Sequence, residues 1–259
     1  GKTLDVSGLT LGNGSGGTPG LSSNYKLDGG THTFNVTKKD ITFSGSRVYD
    51  ATTTVSSSDL VTNDTTSGET LTFSGRGTVS SANVQNNQSI TLGSIAIADG
   101  SGGGLASNYN LTTGTFDISQ KWVSVGGQKI YDATTTVSSS DLNVTGEVVG
   151  ESISITGTGS VTDKNVGSGK TINVSGLSLS DGSHSASNYT IGTTSFAITR
   201  RNLSISGEKV YDGTGTVLAS QIDTVNTAGG ETLTISGEGS VSLPSVGTNK
   251  SITLNTLGV

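Results

Sequence analysis

The chain repeats itself with a period of about eighty residues, and this period limits what it can fold into. Segments 47–60, 129–142 and 209–222 read RVYDATTTVSSSDL, KIYDATTTVSSSDL and KVYDGTGTVLASQI, so their tyrosines lie 82 and 80 positions apart. A repeat of this length is one small structural unit, which buries its apolar face with help from its neighbours. The sequence therefore predicts a row of similar small units rather than one large domain.

Other segments recur in the same phase and set the boundaries of the units. A Gly-Glu pair opens an apolar run in each copy (ETLTFSG, ESISITG, ETLTISG), and a later Asn-Tyr pair leads into the last run. The phase divides the chain into four parts, which are the later half of a repeat (1–37), two complete repeats (38–119 and 120–199) and the first half of another (200–259). The sequence begins with Gly rather than Met, and we interpret it as part of a longer chain.

Apolar and hydroxyl residues alternate along each run, as in Ile41-Thr-Phe43 and Leu71-Thr-Phe73. Successive side chains of a strand point to opposite faces, so each run predicts a strand with one buried face. No segment shows the helical period. We expect an all-β fold, with six to eight short strands per repeat arranged as a Greek-key β-sandwich.

Composition excludes several classes of function. There is no cysteine, so neither a disulfide framework nor a thiolate metal site is expected. The net charge of −6 and the sparse, scattered Lys and Arg argue against a nucleic-acid partner. No apolar run approaches the roughly 18 residues of a membrane-spanning helix, so we expect no membrane insertion.

The Tyr-Asp pair of each repeat allows two interpretations. The tyrosines could stack on sugars, or they could be buried at a strand end with the hydroxyl bonded to backbone, as in a tyrosine corner. In the second interpretation, which we favour, the aspartates accept N–H bonds in the following turn. The pairs are Tyr49 and Asp50, Tyr131 and Asp132, and Tyr211 and Asp212. Because Ala51 and Ala133 replace the glycine kept as Gly213, we expect that an ordinary residue can reach the turn conformation.

Paired carboxylates could in principle catalyse glycoside hydrolysis. Besides the aspartates, only Glu69, Glu151 and Glu231 are acidic in all three comparable repeats. The sequence shows no matching base, nucleophile or cleft, so we expect a structural motif and no enzyme. Calcium remains a weak alternative at the loop residues Asn13, Asp99 and Asp181, where a simple turn is favoured. We expect no cofactor.

Trp122, the only tryptophan, aligns with Asp40 and Asn202, which indicates an exposed position near a repeat boundary. It could contact a ligand or pack on the neighbouring repeat, and we favour packing. Consecutive repeats also join without a Pro/Gly linker, since the last run of one leads almost directly into the first run of the next (TFDISQKWVSVGG).

The motif K-(V/I)-Y-D-(G/A)-T-x-T, the Gly-Glu run and the later Ser-Asn-Tyr resemble the YDG and MBG repeats of filamentous-haemagglutinin-like bacterial exoproteins. The resemblance covers the whole chain. It implies a secreted, extracellular cell-surface adhesin of the two-partner secretion type, exported through an outer-membrane partner and acting in attachment, aggregation, biofilm formation and virulence. We expect an elongated, monomeric stalk. The alternative is a module that itself binds exopolysaccharide, host-surface glycan or protein.

Overall fold

The computed structural model of the protein describes residues 2–27 and 32–258. The chain forms two compact units. The first unit comprises residues 1–47 and 52–118, and the second comprises residues 48–51 and 119–259. The short segment Val48–Ala51, which contains the first Tyr-Asp pair, is thus part of the second unit.

Strands account for almost all the regular structure. The strands of the first unit are β1 (Lys2–Thr3), β2 (Thr33–Phe34), β3 (Lys39–Val48), β4 (Thr54–Ser56), β5 (Leu60–Thr62), β6 (Leu71–Ser74), β7 (Arg76–Thr78), β8 (Gln85–Ser89), β9 (Ala96–Asp99) and β10 (Tyr109–Ser119). Those of the second are β11 (Lys121–Ile130), β12 (Thr136–Ser138), β13 (Leu142–Thr145), β14 (Ile153–Ser160), β15 (Gly167–Lys170), β16 (Leu177–Asp181), β17 (Tyr189–Thr199), β18 (Ile205–Gly207), β19 (Thr216–Leu218), β20 (Ile222–Thr224), β21 (Glu238–Val241) and β22 (Ile252–Thr253).

The helices are single 3₁₀ turns of three residues. They are Ser22–Asn24, Ser57–Asp59, Ala106–Asn108, Ser139–Asp141, Ala186–Asn188 and Ala219–Gln221. Over the described residues the predicted all-β class is therefore confirmed. None of the described helices has the length and apolar character that crossing a bilayer requires.

The repeat 120–199 is a sandwich of two sheets. One sheet has the strand order β13-β11-β17-β15, and the other has the order β12-β14-β16. The first and last strands of the repeat, β11 and β17, lie side by side and run parallel through ten paired positions. All other pairings within this repeat are antiparallel.

The core of this repeat lies between its two sheets. Val125 of β11 and Phe196 and Ile198 of β17 come from one sheet, while Val137 of β12 and Leu177 of β16 come from the other. All five are at least nine-tenths buried. They occupy alternate strand positions, as the period-two pattern predicts, and burial of each such side chain stabilises the fold by about 1.5–3 kcal/mol.

The repeat 38–119 has the same plan. Its larger sheet has the order β5-β3-β10-β8, and the equivalents of the smaller sheet are the pairs β4–β7 and β6–β9. Ile41 and Phe43 of β3 and Phe116 and Ile118 of β10 are fully buried, at the positions that are equivalent to core residues of repeat 120–199.

A glycine occupies the same place in three repeats, within β14, between β6 and β7, and just before β21. Gly75, Gly157 and Gly237 all have left-handed backbone, with φ of 82°, 93° and 88°. A Cβ at Gly157 would lie 2.1 Å from the carbonyl oxygen of Gly176. Any side chain here would meet both backbone strain and a collision, so the glycine of S-G or T-G in each run is a structural requirement.

Residues 200–258 contain fewer paired strands. β18 pairs with β20, while β19, β21 and β22 form a three-stranded sheet. Near the start of the chain, the short strands β1 and β2 pair antiparallel with each other.

Candidate functional site

The tyrosine of the Tyr-Asp pair is placed by the end of the first strand of its repeat. β11 ends at Ile130, and the Tyr131 backbone N–H donates to the Thr199 carbonyl at the end of β17, over 2.9 Å. The Tyr49 N–H makes the same bond to Ser119, also 2.9 Å long. Strand pairing thus fixes where each tyrosine leaves the sheet, and its side chain extends toward the repeat that follows in sequence.

Glu151 receives two tyrosine hydroxyls, and we call Tyr49, Glu151 and Tyr189 the Glu151 cluster. The Tyr49 hydroxyl donates to Glu151 Oε1 over 2.8 Å, and the Tyr189 hydroxyl donates to Oε2. Tyr49 lies 102 positions before Glu151, in the preceding sequence repeat. The two rings meet edge to face, with centroids 5.4 Å apart. The Tyr189 hydroxyl in turn accepts the Val148 N–H over 3.1 Å.

Glu231 is the centre of a second such group, the Glu231 cluster of Tyr131, Lys164 and Glu231. The Tyr131 hydroxyl donates to Glu231 Oε1 over 2.6 Å, across 100 sequence positions. The Lys164 ammonium donates to the same oxygen over 2.5 Å and lies 5.9 Å from the centre of the Tyr131 ring. The bond from the tyrosine of one repeat to the glutamate of the next therefore occurs at two places in the second unit, at Glu151 and at Glu231.

The electrostatics of the two clusters differ because their burial differs. Burial, followed by the hydrogen bond to the Glu151 carboxylate, raises the pKa of Tyr49 and that of Tyr189 to about 12. In the more open cluster, the Glu231 hydrogen bond raises the pKa of Tyr131. Lys164, then Tyr131, lowers the pKa of Glu231. In both clusters the raised pKa of the tyrosines keeps their hydroxyls protonated as donors, and in the Glu231 cluster the lowered pKa keeps the glutamate ionised.

The remaining members of the motif have different surroundings. In the first unit the Tyr109 hydroxyl donates to Glu69 and accepts the Thr66 N–H over 3.0 Å. This matches the bonds of Tyr189 around Glu151. Tyr211, the third tyrosine of the Tyr-Asp series, is 62% exposed, whereas Tyr49 is 4% exposed.

The rest of the repeated motif surrounds a lysine, and we call Lys129, Asp132, Thr134 and Thr136 the lysine site. The Lys129 ammonium donates to Asp132, to the hydroxyl and carbonyl of Thr134 and to the carbonyl of Thr136, over 2.6–3.1 Å. Its side chain is buried.

The lysine site recurs in the other copies of the motif. Lys209 makes the same set of bonds to Asp212, Thr214 and Thr216. In the repeat 38–119, Arg47 donates to the carbonyls of Thr52 and Thr54. The motif K-x-Y-D-x-T-x-T therefore contains one cation, the lysine, and the aspartate and threonines whose oxygen atoms bind it.

The aspartates also hold the turn that follows. Asp132 accepts the Thr134 N–H over 3.0 Å, and Asp212 accepts the Thr214 N–H over 2.9 Å. That bond, followed by the one from Lys209, lowers the pKa of Asp212 to about 2. For Asp132, burial works to raise the pKa, but the bonds from Lys129 and Thr134 outweigh it and the pKa is lowered. Asp50 lies exposed in the equivalent turn.

One expectation about this motif is wrong. The acceptor of the Tyr49 and Tyr131 hydroxyls is a glutamate of the following repeat, not backbone. An ordinary residue does reach the turn conformation after the aspartate, as expected, but that conformation is left-handed, with φ of 63° at Ala51, 66° at Ala133 and 80° at Gly213. Both alanines adopt left-handed backbone, which costs a residue with a Cβ about 1–2 kcal/mol.

The loop residues considered for calcium bind backbone in the structure. Asp99 accepts the Ala106 N–H over 2.8 Å, and Asp181 accepts the Ala186 N–H over 2.7 Å. Asn13 accepts from the N–H and hydroxyl of Ser22. Each side chain thereby fixes the 3₁₀ turn that leads into Ser-Asn-Tyr. Within residues 2–27 and 32–258, no three His, Asp or Glu side chains are grouped as a metal site would require.

Sequence reasoning identified the tyrosines and glutamates but not that they meet. The signal for the pairing was present, since Tyr-Asp and Gly-Glu recur together in three repeats. The partners that bond are 102 and 100 positions apart, which is more than one repeat, so the recurrence within a single repeat does not reveal the contact. Sequence reasoning also missed the lysine site, because Arg47 replaces lysine in one copy.

Comparison with known proteins supports the repeat assignment. The family model of the YDG domain matches three segments of the chain, residues 31–116, 120–196 and 199–259. No curated protein and no solved structure matches it. The three matches take in most of the chain and start near the repeat boundaries. The chain belongs to the YDG domain family.

Proposed function

We propose that this chain is a repeat segment of a large secreted bacterial surface adhesin, in which it acts as a non-enzymatic stalk for attachment, aggregation or biofilm formation. The parent protein would be exported through an outer-membrane partner and remain outside the cell. The observation that carries the proposal is the bond from the tyrosine of one repeat to the glutamate of the next, made at both Glu151 and Glu231.

A stalk needs successive units that resist turning about their connection. Each of these bonds lies within the second unit and joins the Tyr-Asp segment of one repeat to the glutamate of the next. Each oxygen of Glu151 accepts a tyrosine hydroxyl, one from Tyr49 of the preceding repeat and one from Tyr189 of its own repeat. The absence of cysteine from the sequence also fits a protein that crosses an oxidising compartment before it acts.

Small-angle scattering from the chromatographically separated monomer tests the stalk proposal. A compact chain of 259 residues has a radius of gyration of about 18 Å. We expect a value well above this, and one that stays unchanged when exopolysaccharides, host glycans or matrix proteins are added. A radius near 18 Å would contradict a stalk.

The second candidate is a glycan-binding module, and Trp122 favours it. The expectation that this ring packs on a neighbouring repeat is not met, since its side chain is 75% exposed. The base of the Trp122 side chain lies against Gly192 of β17. A Cβ placed on Gly192 would lie 3.1 Å from Trp122 Cβ. An exposed aromatic ring above a sheet surface can stack on the apolar face of a sugar.

Binding measurements with Trp122→Ala separate the two candidates. A binding module predicts measurable affinity for a polysaccharide or glycoprotein that the Trp122→Ala variant loses and a Val149→Ala variant keeps. Val149 is fully exposed in the loop between β13 and β14, so it controls for loss of an exposed apolar side chain. No affinity in the wild-type chain would remove this candidate.

A further inference from the structure

The larger sheet of repeat 120–199 turns Trp122 away from the core. Val123 and Val125 of β11 are 2% and 1% exposed, so the alternation of the strand directs Trp122 and Ser124 to the opposite face. We call this the outer face of the sheet. The Trp122 side chain fills no part of the core, so packing within the repeat does not account for a tryptophan at this position.

The neighbouring strand β17 makes room for the indole. A Cβ on Gly192 would lie 3.1 Å from Trp122 Cβ, 3.4 Å from Cγ and 3.5 Å from Cε3. The pairing of β11 with β17 shifts by one residue at this point, after Val123, and Gly192 is the extra residue of the resulting β-bulge. One edge of the indole therefore lies against bare backbone, and the rest of the ring is open to solvent.

The repeat 38–119 carries different residues at these positions. The equivalents of Trp122, Thr190 and Gly192 there are Asp40, Asn110 and Thr112. The Asn110 amide donates to the Asp40 carboxylate over 2.9 Å, and the Thr112 hydroxyl donates to the Ile41 carbonyl over 2.9 Å. These side chains satisfy one another and the backbone. Between the two complete repeats, the aromatic residue and the glycine that makes room for it occur together, in one repeat.

Hydroxyl groups lie beside the indole on the outer face. Ser124 follows Trp122 by two positions, about 7 Å along the strand. Its hydroxyl lies 2.6 Å from that of Thr193 on β17, and both side chains are exposed. We call Ser124 and Thr193 the hydroxyl pair. Each hydroxyl can donate and accept hydrogen bonds, as the hydroxyls of a sugar do.

We propose that Trp122 and the hydroxyl pair form a binding site for a neutral chain of β-linked hexoses. The C–H face of one sugar stacks on the indole, and the hydroxyls of the next sugar bind the hydroxyl pair. An aromatic surface with a few placed polar groups is the usual composition of a ligand site. The proposal rests on the second candidate function, glycan binding, and assigns its ligand class and its residues.

Charge favours a neutral sugar over an acidic one. The chain has a net charge of −6, so a polyanionic glycan is repelled as it approaches. Trp122 and the hydroxyl pair carry no charge, and Lys121 points to the other face of the strand by alternation. A carboxylate or sulfate on the ligand would therefore lose hydration at this site without gaining an ion pair.

Tryptophan fluorescence of the full chain tests the proposal directly, because Trp122 is the only tryptophan. Cellohexaose, laminarihexaose and a β-linked galactan oligosaccharide are the neutral probes. We expect the emission to change and to saturate with at least one of them. The hexamer of β-linked glucuronic acid, which has the cellohexaose backbone with a carboxylate on each ring, should leave the emission unchanged.

Calorimetry with the neutral probe that binds assigns the residues. Trp122→Ala should raise the Kd about tenfold or more, since the stacking surface is gone. Ile130→Ala is the matched control and should bind like the wild type. Ile130 lies at the other end of the same strand, on the same face, and is 61% exposed.

Two further variants keep the indole and test what surrounds it. Gly192→Thr restores the residue found in repeat 38–119 and should weaken binding, because its Cβ presses on the base of the indole. Ser124→Ala/Thr193→Ala should raise the Kd about threefold to tenfold by removing hydrogen bonds to the second sugar. In this double variant the fluorescence change at saturation should be the same as in the wild type, since the first sugar still stacks.

Transfer of the site to the other complete repeat is the strictest test. Thr42 and Thr113 already occupy the positions of the hydroxyl pair in repeat 38–119. Asp40→Trp/Asn110→Thr/Thr112→Gly should therefore raise the stoichiometry from one sugar chain per protein to two. A folded triple variant that still binds one would contradict the residue assignment.

The outcomes separate this site from the candidate function on which it rests. A chain that binds none of the neutral or acidic probes removes both. Binding that Trp122→Ala keeps, or binding of the acidic hexamer alone, overturns this site and leaves glycan binding standing. Sedimentation velocity covers the remaining alternative, since self-association that Trp122→Ala abolishes would assign the indole to a protein contact and overturn the sugar site.

Discussion

The residue after each Tyr-Asp pair has left-handed backbone, although two of the three copies carry alanine rather than glycine at this position. Ala133 has φ of 66°, a conformation that glycine reaches without strain. We expect Ala133→Gly to stabilise the protein by about 0.5–1 kcal/mol, which is the strain relieved less the added freedom of the unfolded chain. Chemical denaturation measures this difference.

The third copy of the turn supplies the control for that prediction. Gly213 has φ of 80°, and a Cβ there would have no atom within 4 Å. Gly213→Ala should therefore destabilise through backbone strain alone. An Ala133→Gly variant less stable than the wild type would show that the turn does not carry this strain.

The buried tyrosines of the Glu151 cluster predict a loss of stability at high pH. The pKa of Tyr49 and that of Tyr189 are raised from 10.0 to about 12. A raised pKa means that the folded state keeps a proton that the unfolded state releases. Their contribution to stability should thus be complete below pH of about 10 and should be lost as the pH rises to about 12.

Denaturation at several alkaline pH values, with tyrosinate absorbance followed in parallel, measures this effect. The Tyr49→Phe/Tyr189→Phe variant is the control, and its stability should fall less steeply over the same interval. An equally steep fall in this variant would assign the alkaline sensitivity to other groups.

At the scale of a structural element, the lysine site fixes the turn between the first two strands of each repeat. Lys129→Met would remove the ammonium that donates to the Thr134 and Thr136 carbonyls and to the Asp132 carboxylate, so we expect a loss of about 1–3 kcal/mol. Lys129→Arg should be tolerated because Arg47 binds the equivalent carbonyls. Thermal unfolding of both variants is the measurement. A Met variant as stable as the Arg variant would contradict the site's role.

The strands themselves could be predicted from the sequence, whereas their partners could not. The alternation of apolar and hydroxyl residues at Ile41-Thr-Phe43 predicted both the strand and its buried face. Successive side chains of a strand point to opposite faces, so the local sequence pattern is enough to tell which of them are buried. The pairing of the first strand with the last depends on closing a loop of some seventy residues, and local pattern carries no information about it. Gly157 likewise could be assigned to a strand from the sequence. The close approach of the Gly176 carbonyl, which leaves no room for a Cβ at Gly157, could not.

At the scale of the whole molecule, each bond between a Tyr-Asp tyrosine and the glutamate of the following repeat is predicted to couple the contributions of those two residues to the stability of the second unit. We expect a double-mutant cycle of Tyr49→Phe and Glu151→Gln to give a coupling energy of about 0.5–3 kcal/mol. The equivalent cycle at Tyr131 and Glu231 should give a smaller value that decreases with salt, because the Glu231 side chain is 33% exposed and that of Glu151 only 5%. Additive effects at Glu151 would contradict coupling.

The presence of YDG-type repeats along the chain could be predicted because duplicated segments remain similar in sequence. The contacts between repeats could not, since each copy shows only half of a pair whose other half lies about one hundred positions later. Tyr211 illustrates this limit. Its sequence context is that of Tyr49, yet one ring is exposed and the other is buried.

The parallel pairing of β11 and β17 has a mechanical consequence. The chain enters repeat 120–199 through one of these strands and leaves through the other, and they run in the same direction along ten paired positions. A force that pulls the two ends apart therefore slides one strand along its neighbour and loads their hydrogen bonds together, rather than opening them one at a time. Such a repeat resists tension far better than its small core suggests.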